Sequence, residues 1–366
     1  MPDTEVTLDF GSENTSPVHP AYVQAVIEAN DGFATNFEAE AWSRLALGEL
    51  REMFEHDRLE AFTVSTGTAA NAIALGAMVP PYGTILCHWD AHIETDECGA
   101  PEMFTFGARQ IPLEGDHGRL APAAVERYLS RARIGDIHAL QPSAISLTNL
   151  TEAGTAYTPE QVSALSAVAR GYGLGVHMDG ARFANAAAHL GTTPAELTWK
   201  SGVDVLTLGT TKSGSFGVET IVSFNPKFDV ALARLRKRSG HLAPKSRFLA
   251  AQLRAYVRDG LWRTTASDAN AMARRLADGL SRLPGTKIVH PVEGNEVFAQ
   301  LPESVEQALV VVGVRFQRNW RTEPRHHRFV CSWAIREAHV DALLSICTTA
   351  GDTAPHDTRL ATSPSP

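Results

Sequence analysis

The chain has 366 residues, 44% of them hydrophobic and 20% charged, which supports large buried cores and excludes a generally disordered protein. Its 33 basic residues against 41 acidic ones leave a formal charge of −8. That balance argues against binding nucleic acid through phosphate neutralisation and fits a small-molecule ligand.

Length over roughly 150 residues per domain gives a prior of two domains, preceded by an arm. Residues 1–16 read as that arm. Helical patterns follow over Pro20–Asn30 and Glu38–Glu55. Leu59–Val64 reads as a strand running through Ser65-Thr66-Gly67-Thr68 into a helix of small residues, Ala69–Met78. Strand and helix signals then alternate. Thr84–His88, Ala144–Thr148, Leu174–Met178, Val203–Leu208 and Thr220–Phe224 read as strands. Pro159–Arg170 and Arg182–Leu190 read as helices, with Thr158 as an N-cap and Gly171 and Gly191 as terminators. Alternation of this kind predicts an α/β fold with a mostly parallel sheet between helices.

From Pro226 the pattern becomes α+β. Basic helical stretches cover Phe228–Arg238 and Lys245–Arg258, and another helix covers Ala266–Leu283. Strands are expected at Lys287–Val292, Glu296–Leu301 and Arg328–Trp333. The predicted division is a large domain over 17–255, a small domain over 256–350 and a Pro-rich disordered tail over 351–366. Four scattered cysteines without a CxxC pair, no signal-peptide pattern and no apolar run near the roughly 20 residues of a membrane span predict a cytoplasmic protein with no membrane contact.

Lysine is scarce, and Lys212 stands apart. It follows an apolar strand directly in Leu208-Gly209-Thr210-Thr211-Lys212-Ser213-Gly214, with no acidic neighbour in sequence. A lysine desolvated at a strand end is a usable amine nucleophile, although a plain loop-tip lysine looks the same. Asp179, in His177-Met178-Asp179-Gly180-Ala181-Arg182, closes another strand, at the sheet edge where open α/β sheets bind ligands. Its simpler reading is a helix N-cap. Ser65–Asn71 is a strand, glycine turn and helix junction able to cradle phosphate, and it is neither a Walker A sequence nor GxGxxG. Strand alternation over His88, Asp90 and His92 would put three possible ligands on one face. No further ligand cluster supports a metal, so none is expected. The acidic stretch Glu94–Glu97 reads as a solvated loop.

In chain order, a phosphate cradle, an aromatic ring at His92, the Asp179 carboxylate and the Lys212 amine are equipment for pyridoxal 5′-phosphate. The sequence resembles the threonine aldolase family of fold-type I pyridoxal-phosphate enzymes, close to its bacterial low-specificity and phenylserine aldolase branch. The matching stretches are FGSEN at 10–14, TGTAAN at 66–71, AHIETDECGAPE at 91–102, HMDGARFANA at 177–186, AELTWKSGVDVL at 195–206, GTTKSGSFGVE at 209–219 and RFVCSW at 328–333. They span most of the chain.

The resemblance implies that Lys212 bonds the cofactor, Asp179 pairs with its ring nitrogen and His92 stacks on the ring. It implies that Gly67, Thr68 and Lys245 hold the phosphate. Arg182 would lie beside the ring oxygen or the substrate carboxylate, which Ser12 and Arg328 grip. In the family's loop after the central strand, many members carry a histidine; here Asn149–Thr155 places Glu152 there. The implied reaction is retro-aldol cleavage of an L-β-hydroxy-α-amino acid (threonine, allo-threonine or phenylserine) to glycine and an aldehyde. His92 is the first choice of base and Glu152 the second. A homo-oligomer, dimer or tetramer, is also implied. The competing readings are transaldolation, β-elimination or transamination on the same scaffold. A nicotinamide oxidoreductase is disfavoured by the missing GxGxxG, and a non-catalytic binding protein is a further alternative.

Overall fold

The computed structural model describes residues 8–322 and 325–352. Its main sheet has seven strands: β1 Glu60–Val64, β2 Gly83–His88, β3 Arg109–Leu113, β4 Gln141–Thr148, β5 Gly175–Gly180, β6 Val205–Gly209 and β7 Glu219–Ser223. Their spatial order is β1-β7-β6-β5-β4-β2-β3. β3, β2, β4, β5 and β6 pair in parallel, and β7 runs antiparallel to both β6 and β1. All residues of β2, β6 and β7 are buried, as a sheet covered on both faces requires. This is the α/β sheet expected from the alternating pattern.

Helix ends follow local chemistry. Helix Pro159–Gly171 begins with a capping box in which the Thr158 and Gln161 side chains accept from each other's backbone amides. The left-handed residue behind that helix is Gly173, φ +73°, rather than Gly171. Gly191 closes helix Phe183–Leu190 with φ +64°, as expected. Beneath Asp179 in β5, His177 bridges strands through Ser146 Oγ at 2.9 Å and Thr207 Oγ1 at 3.3 Å. Burial pushes this imidazole down to about 4, so it is a neutral strut.

A smaller antiparallel sheet consists of β8 Lys287–Ile288, β9 Glu296–Gln300 and β10 His326–Val330, in the order β10-β9-β8. The arm joins this unit. Phe10 donates to Arg315 O and accepts from Val330 N, both at 2.8 Å, and its ring is buried with Val297, Leu309 and Phe329. Helix Leu261–Leu280 serves both parts: Trp262 and Ala266 pack in the core of the large sheet, Ala273, Leu276 and Leu280 in that of the small one. Strand β3 and helix Pro122–Leu129 were not predicted. The expected strands at 287–292 and 328–333 differ: β8 stops at Ile288, before a bend at His290, and β10 runs from His326 to Val330, before the turn at Trp333–Ala334. Of the tail expected to be disordered over 351–366, residues 351–352 instead end helix Glu337–Asp352, while 353–366 and residues 1–7 of the arm lie outside the described residues. No helix among the described residues is long and apolar enough to cross a membrane.

Candidate active site

A cavity of about 290 Å3 opens at the carboxyl ends of the parallel strands, lined by Asn14, Thr66, Gly67, Thr68, Asn71, His92, Glu97, Glu152, Asp179, Lys212 and Glu219 among others. Each strand end delivers one piece. β1 leads to Thr66, whose hydroxyl caps helix Gly67–Met78 by accepting from Ala69 N at 3.2 Å. The amides of Gly67 and Thr68 head that helix, where no earlier turn can accept from them, so an anion fits there. A Cβ on Gly67 would meet nothing within 4 Å, so the helix head faces open space.

β6 leads to a single 3-10 turn, Thr211–Ser213, which carries the half-buried Lys212 and ends on Gly214, φ +97°. Gly209 is needed at the strand end. A Cβ there would sit 2.6 Å from the Cα and O of Ala181, so any side chain would push the lysine turn away from the Asp179 loop.

Asp179 is fixed on both oxygens. Its Oδ1 accepts from Ala181 N at 2.9 Å and its Oδ2 from Asn71 Nδ2 at 2.8 Å. The same Asn71 nitrogen donates to Glu97 Oε1 at 2.8 Å, and that oxygen also lies 3.0 Å from His92 Nδ1. A carboxylate on Nδ1 makes that atom the protonated one, which leaves Nε2 as the lone-pair nitrogen. Burial disfavours a charged His92 ring, yet the bond to Glu97 and the charges of Glu152, Asp179 and Glu97 hold its pKa above the ordinary histidine value. Glu97 is raised as well, by burial first and then by Asp179, against the donors His92 and Asn71.

Glu152 sits on a braced loop. Asn149 N donates to Asp179 O at 2.8 Å, and the hydroxyls of Thr151 and Thr155 donate to His117 O at 3.2 and 2.6 Å. The residues expected to grip a substrate carboxylate lie beside the cavity and outside its lining. Ser12 caps the 3-10 turn Glu13–Thr15, accepting from Asn14 N at 3.1 Å. Arg182 forks onto Glu13 at 2.6 and 3.1 Å. Arg328 bonds Glu296 Oε1 at 2.6 Å, also bonds Gln317, and lies 4.6 Å from the Trp320 ring centre. Glu296 spans both guanidinium groups, standing 3.5 Å from Arg182. Burial alone would raise the Glu13 carboxyl, but Arg182, with Lys212 and Arg328 behind it, holds it far below the usual carboxylate range. Lys245 is exposed and outside the lining.

The structure therefore brings Lys212, Asp179, His92, Glu152, Gly67 and Thr68 around one cavity. Ser12, Arg182 and Arg328 form an adjoining charged cluster, and Lys245 stands apart from both. The strand expected to align His88, Asp90 and His92 does not exist. β2 ends at His88, Asp90 turns to meet Arg321 at 2.7 Å, and His92 opens a short helical turn, His92–Thr95. The reading of Glu94–Glu97 as a solvated loop is also corrected: Glu97 is buried, and its side chain meets Asn71 and His92.

Sequence reasoning missed Asn71, Glu97, Glu13 and Glu219. A signal existed for Asn71, which stands one helical turn after Gly67 and so shares its face. None existed for Glu97, whose donor Asn71 comes from a helix, or for Glu219, which meets Thr210 and Thr211 through the pairing of β7 with β6.

The residue series 9–304 matches the beta-eliminating lyase family. The chain is 39% identical to a low specificity L-threonine aldolase of a Pseudomonas strain over 340 residues, covering 93% of this chain and 97% of that one. It is 41% identical to the low specificity L-threonine aldolase of Pseudomonas aeruginosa over 330 residues, covering 90% and 94%. The solved threonine aldolase of Leishmania major superposes with a TM-score of 0.86 at 24% identity, covering 94% of this chain and 99% of that one, which shows the shared fold. A lysine, an aspartate and a helix head meeting at the strand ends, within a fold and a sequence shared along nearly the whole length, lead to one assignment: this chain belongs to the beta-eliminating lyase family.

Proposed function

We propose that the protein is a pyridoxal-phosphate-dependent aldehyde-lyase that cleaves L-β-hydroxy-α-amino acids, L-threonine among them, to glycine and an aldehyde. The observation that carries this reading is the meeting of Lys212, Asp179, His92 and the Gly67–Thr68 helix head around one cavity. These residues fit the cofactor: an amine for its aldehyde, a fixed carboxylate for its ring nitrogen, and free amides for its phosphate. Bound there, the cofactor supplies an electron sink for the pair released when a Cα–Cβ bond breaks.

The chain's residues do the rest. Lys212 provides the covalent anchor. Asp179, pinned by Ala181 and Asn71, offers a charge that keeps a proton on the ring nitrogen. The His92 ring supplies a flat face, and its Nε2 takes the proton of the β-hydroxyl, with Glu152 as second candidate. Ser12, Arg182 and Arg328 form the grip on the substrate carboxylate. Both guanidinium groups are engaged with Glu13 and Glu296, so an incoming carboxylate shares or displaces these partners. A fixed carboxylate orients the scissile bond, a positioning effect.

We further assign a division of the chain near residue 256, a cytoplasmic location and a homo-oligomer, dimer or tetramer. In that assembly Lys245, exposed and outside the cavity of its own chain, serves the phosphate site between copies. Incubation with L-threonine and cofactor tests the main reading. Glycine and acetaldehyde in equal amounts, with no added keto acid or acceptor aldehyde, are expected. Lys212→Ala should give neither, nor the yellow colour of the loaded protein. Product that forms only with a keto acid present would overturn the aldolase reading in favour of transamination.

A further inference from the structure

Glu219 is a buried carboxylate in the cavity wall, and its position follows from topology. β7 is the one strand of the large sheet, as described, that runs against its neighbours, so its first residue lies where theirs end. In register, Glu219 faces Gly209, the last residue of β6, and Val64, the last residue of β1. The two segments that continue from those strands are Thr210-Thr211-Lys212 and Ser65-Thr66-Gly67. One carboxylate therefore sits between the lysine turn and the helix-head turn.

Both its oxygens are bound to the lysine turn. Oε2 accepts from Thr210 N at 3.2 Å, while Oε1 accepts from Thr211 N at 3.3 Å and from the Thr211 hydroxyl. Helices Pro20–Ala29 and Arg247–Val257 bring Tyr22 and Tyr256 within its electrostatic reach. Burial first pushes both phenols above their ordinary value, followed by the Glu219 charge for Tyr22 and by Tyr22 and then Glu219 for Tyr256, so they stay neutral. Their hydroxyls have no hydrogen-bond partner among the described residues. The charge facing Glu219 from its surroundings is thus that of Lys212.

We propose that Glu219 is a positioning residue that clamps the turn bearing Lys212 and supplies the anion against which the lysine nitrogen holds its positive charge. This rests on the cofactor reading above. Burial pushes the carboxyl up to about 7, against the pull of Thr211, Lys212 and Thr210, so it carries full negative charge only above neutrality. An anion beside a cationic nitrogen raises the pH at which that nitrogen loses its proton, and removing the anion lowers it. The clamp also fixes the root of the side chain that must leave and return in each turnover.

The test is a pH titration of the visible absorbance of the cofactor-loaded protein, which reads the protonation of the lysine-bound nitrogen and does not depend on turnover. Glu219→Gln should lower the midpoint by about one pH unit. Glu219→Asp, which keeps the charge, should bring the midpoint back towards that of the native protein, while its shorter reach leaves kcat reduced about tenfold. Thr211→Ala, which removes one donor to the carboxylate, should move the midpoint in the same direction by less. Thr211→Ala also serves should Glu219→Gln fail to fold. An unshifted midpoint in each folded variant overturns the role of Glu219 and leaves the cofactor reading intact. A native protein that takes up no cofactor overturns both.

Discussion

Asn71 stands between Glu97 and Asp179 and, through one nitrogen, gives one amide proton to each, at 2.8 Å in both cases. Two buried carboxylates are thereby held together, and the one proposed to meet the ring nitrogen shares a support with the one that holds His92, the ring proposed to stack on it.

Replacing Asn71 by alanine should therefore cost more than a helix position normally does. Alanine suits the helix, so the loss comes from two buried carboxylates left without their common donor. About 1–3 kcal/mol of stability is expected to go, together with a clear fall in cofactor affinity. Chemical denaturation and cofactor titration would show both. Unchanged values in both would mean that Asn71 is only a core residue.

Glu97 sets the pH range. A base works only when unprotonated, so activity falls as the pH drops through the His92 value, which Glu97 helps to hold above the ordinary one. Glu97→Gln removes that support. The acid limb of the kcat profile should move to lower pH, by about one unit, with a lower plateau because the ring loses its fixed tautomer. NMR of the ring nitrogens reports the same change without turnover. A limb that stays in place would exclude His92 as the group that titrates there.

Base identity is decided by two exchanges made separately. His92→Asn should slow single-turnover cleavage about 100-fold, and Glu152→Gln much less. The reverse ranking would give the proton to Glu152.

The Glu13–Arg182 pair is a structural matter with a pH signature. Both side chains are nearly fully buried, so Glu13→Gln leaves a guanidinium only partly compensated by Glu296 and should cost about 3 kcal/mol. The folded carboxyl titrates far below the unfolded value near 4.5. Its contribution is therefore present above that unfolded value and disappears only as the pH falls towards the folded one. Denaturation midpoints of native and variant protein should differ by a constant amount from neutrality down to mild acid and converge in strong acid.

The α/β sheet was legible because β4, β5 and β6 read as apolar runs, with turn residues between the strands and helices. Lys212, Asp179 and Gly67 were legible for a related reason: each lies at or just past the carboxyl end of a strand, and strand ends converge. β3 was missed because its alternation is weak and Pro112 breaks the pattern. Glu97 and Glu219 were missed because nothing local separates a carboxylate in a cavity wall from one in water. Glu97 meets Asn71 only because the chain brings its loop to that helix, and Glu219 reaches the lysine turn only because β7 pairs antiparallel with β6. Arg182 and Arg328 were legible as cations, and their engagement by Glu13 and Glu296 was not.

Helix Leu261–Leu280 has a consequence for how this molecule comes apart. Its two halves belong to different cores, and Asn270 in its middle exchanges two hydrogen bonds with Asn185, just past the Asp179 loop, at 2.9 Å each. A rod mortised into both halves leaves neither free to melt by itself. Heating should thus give a single sharp transition, and a cut or a proline at its midpoint should split that transition into two.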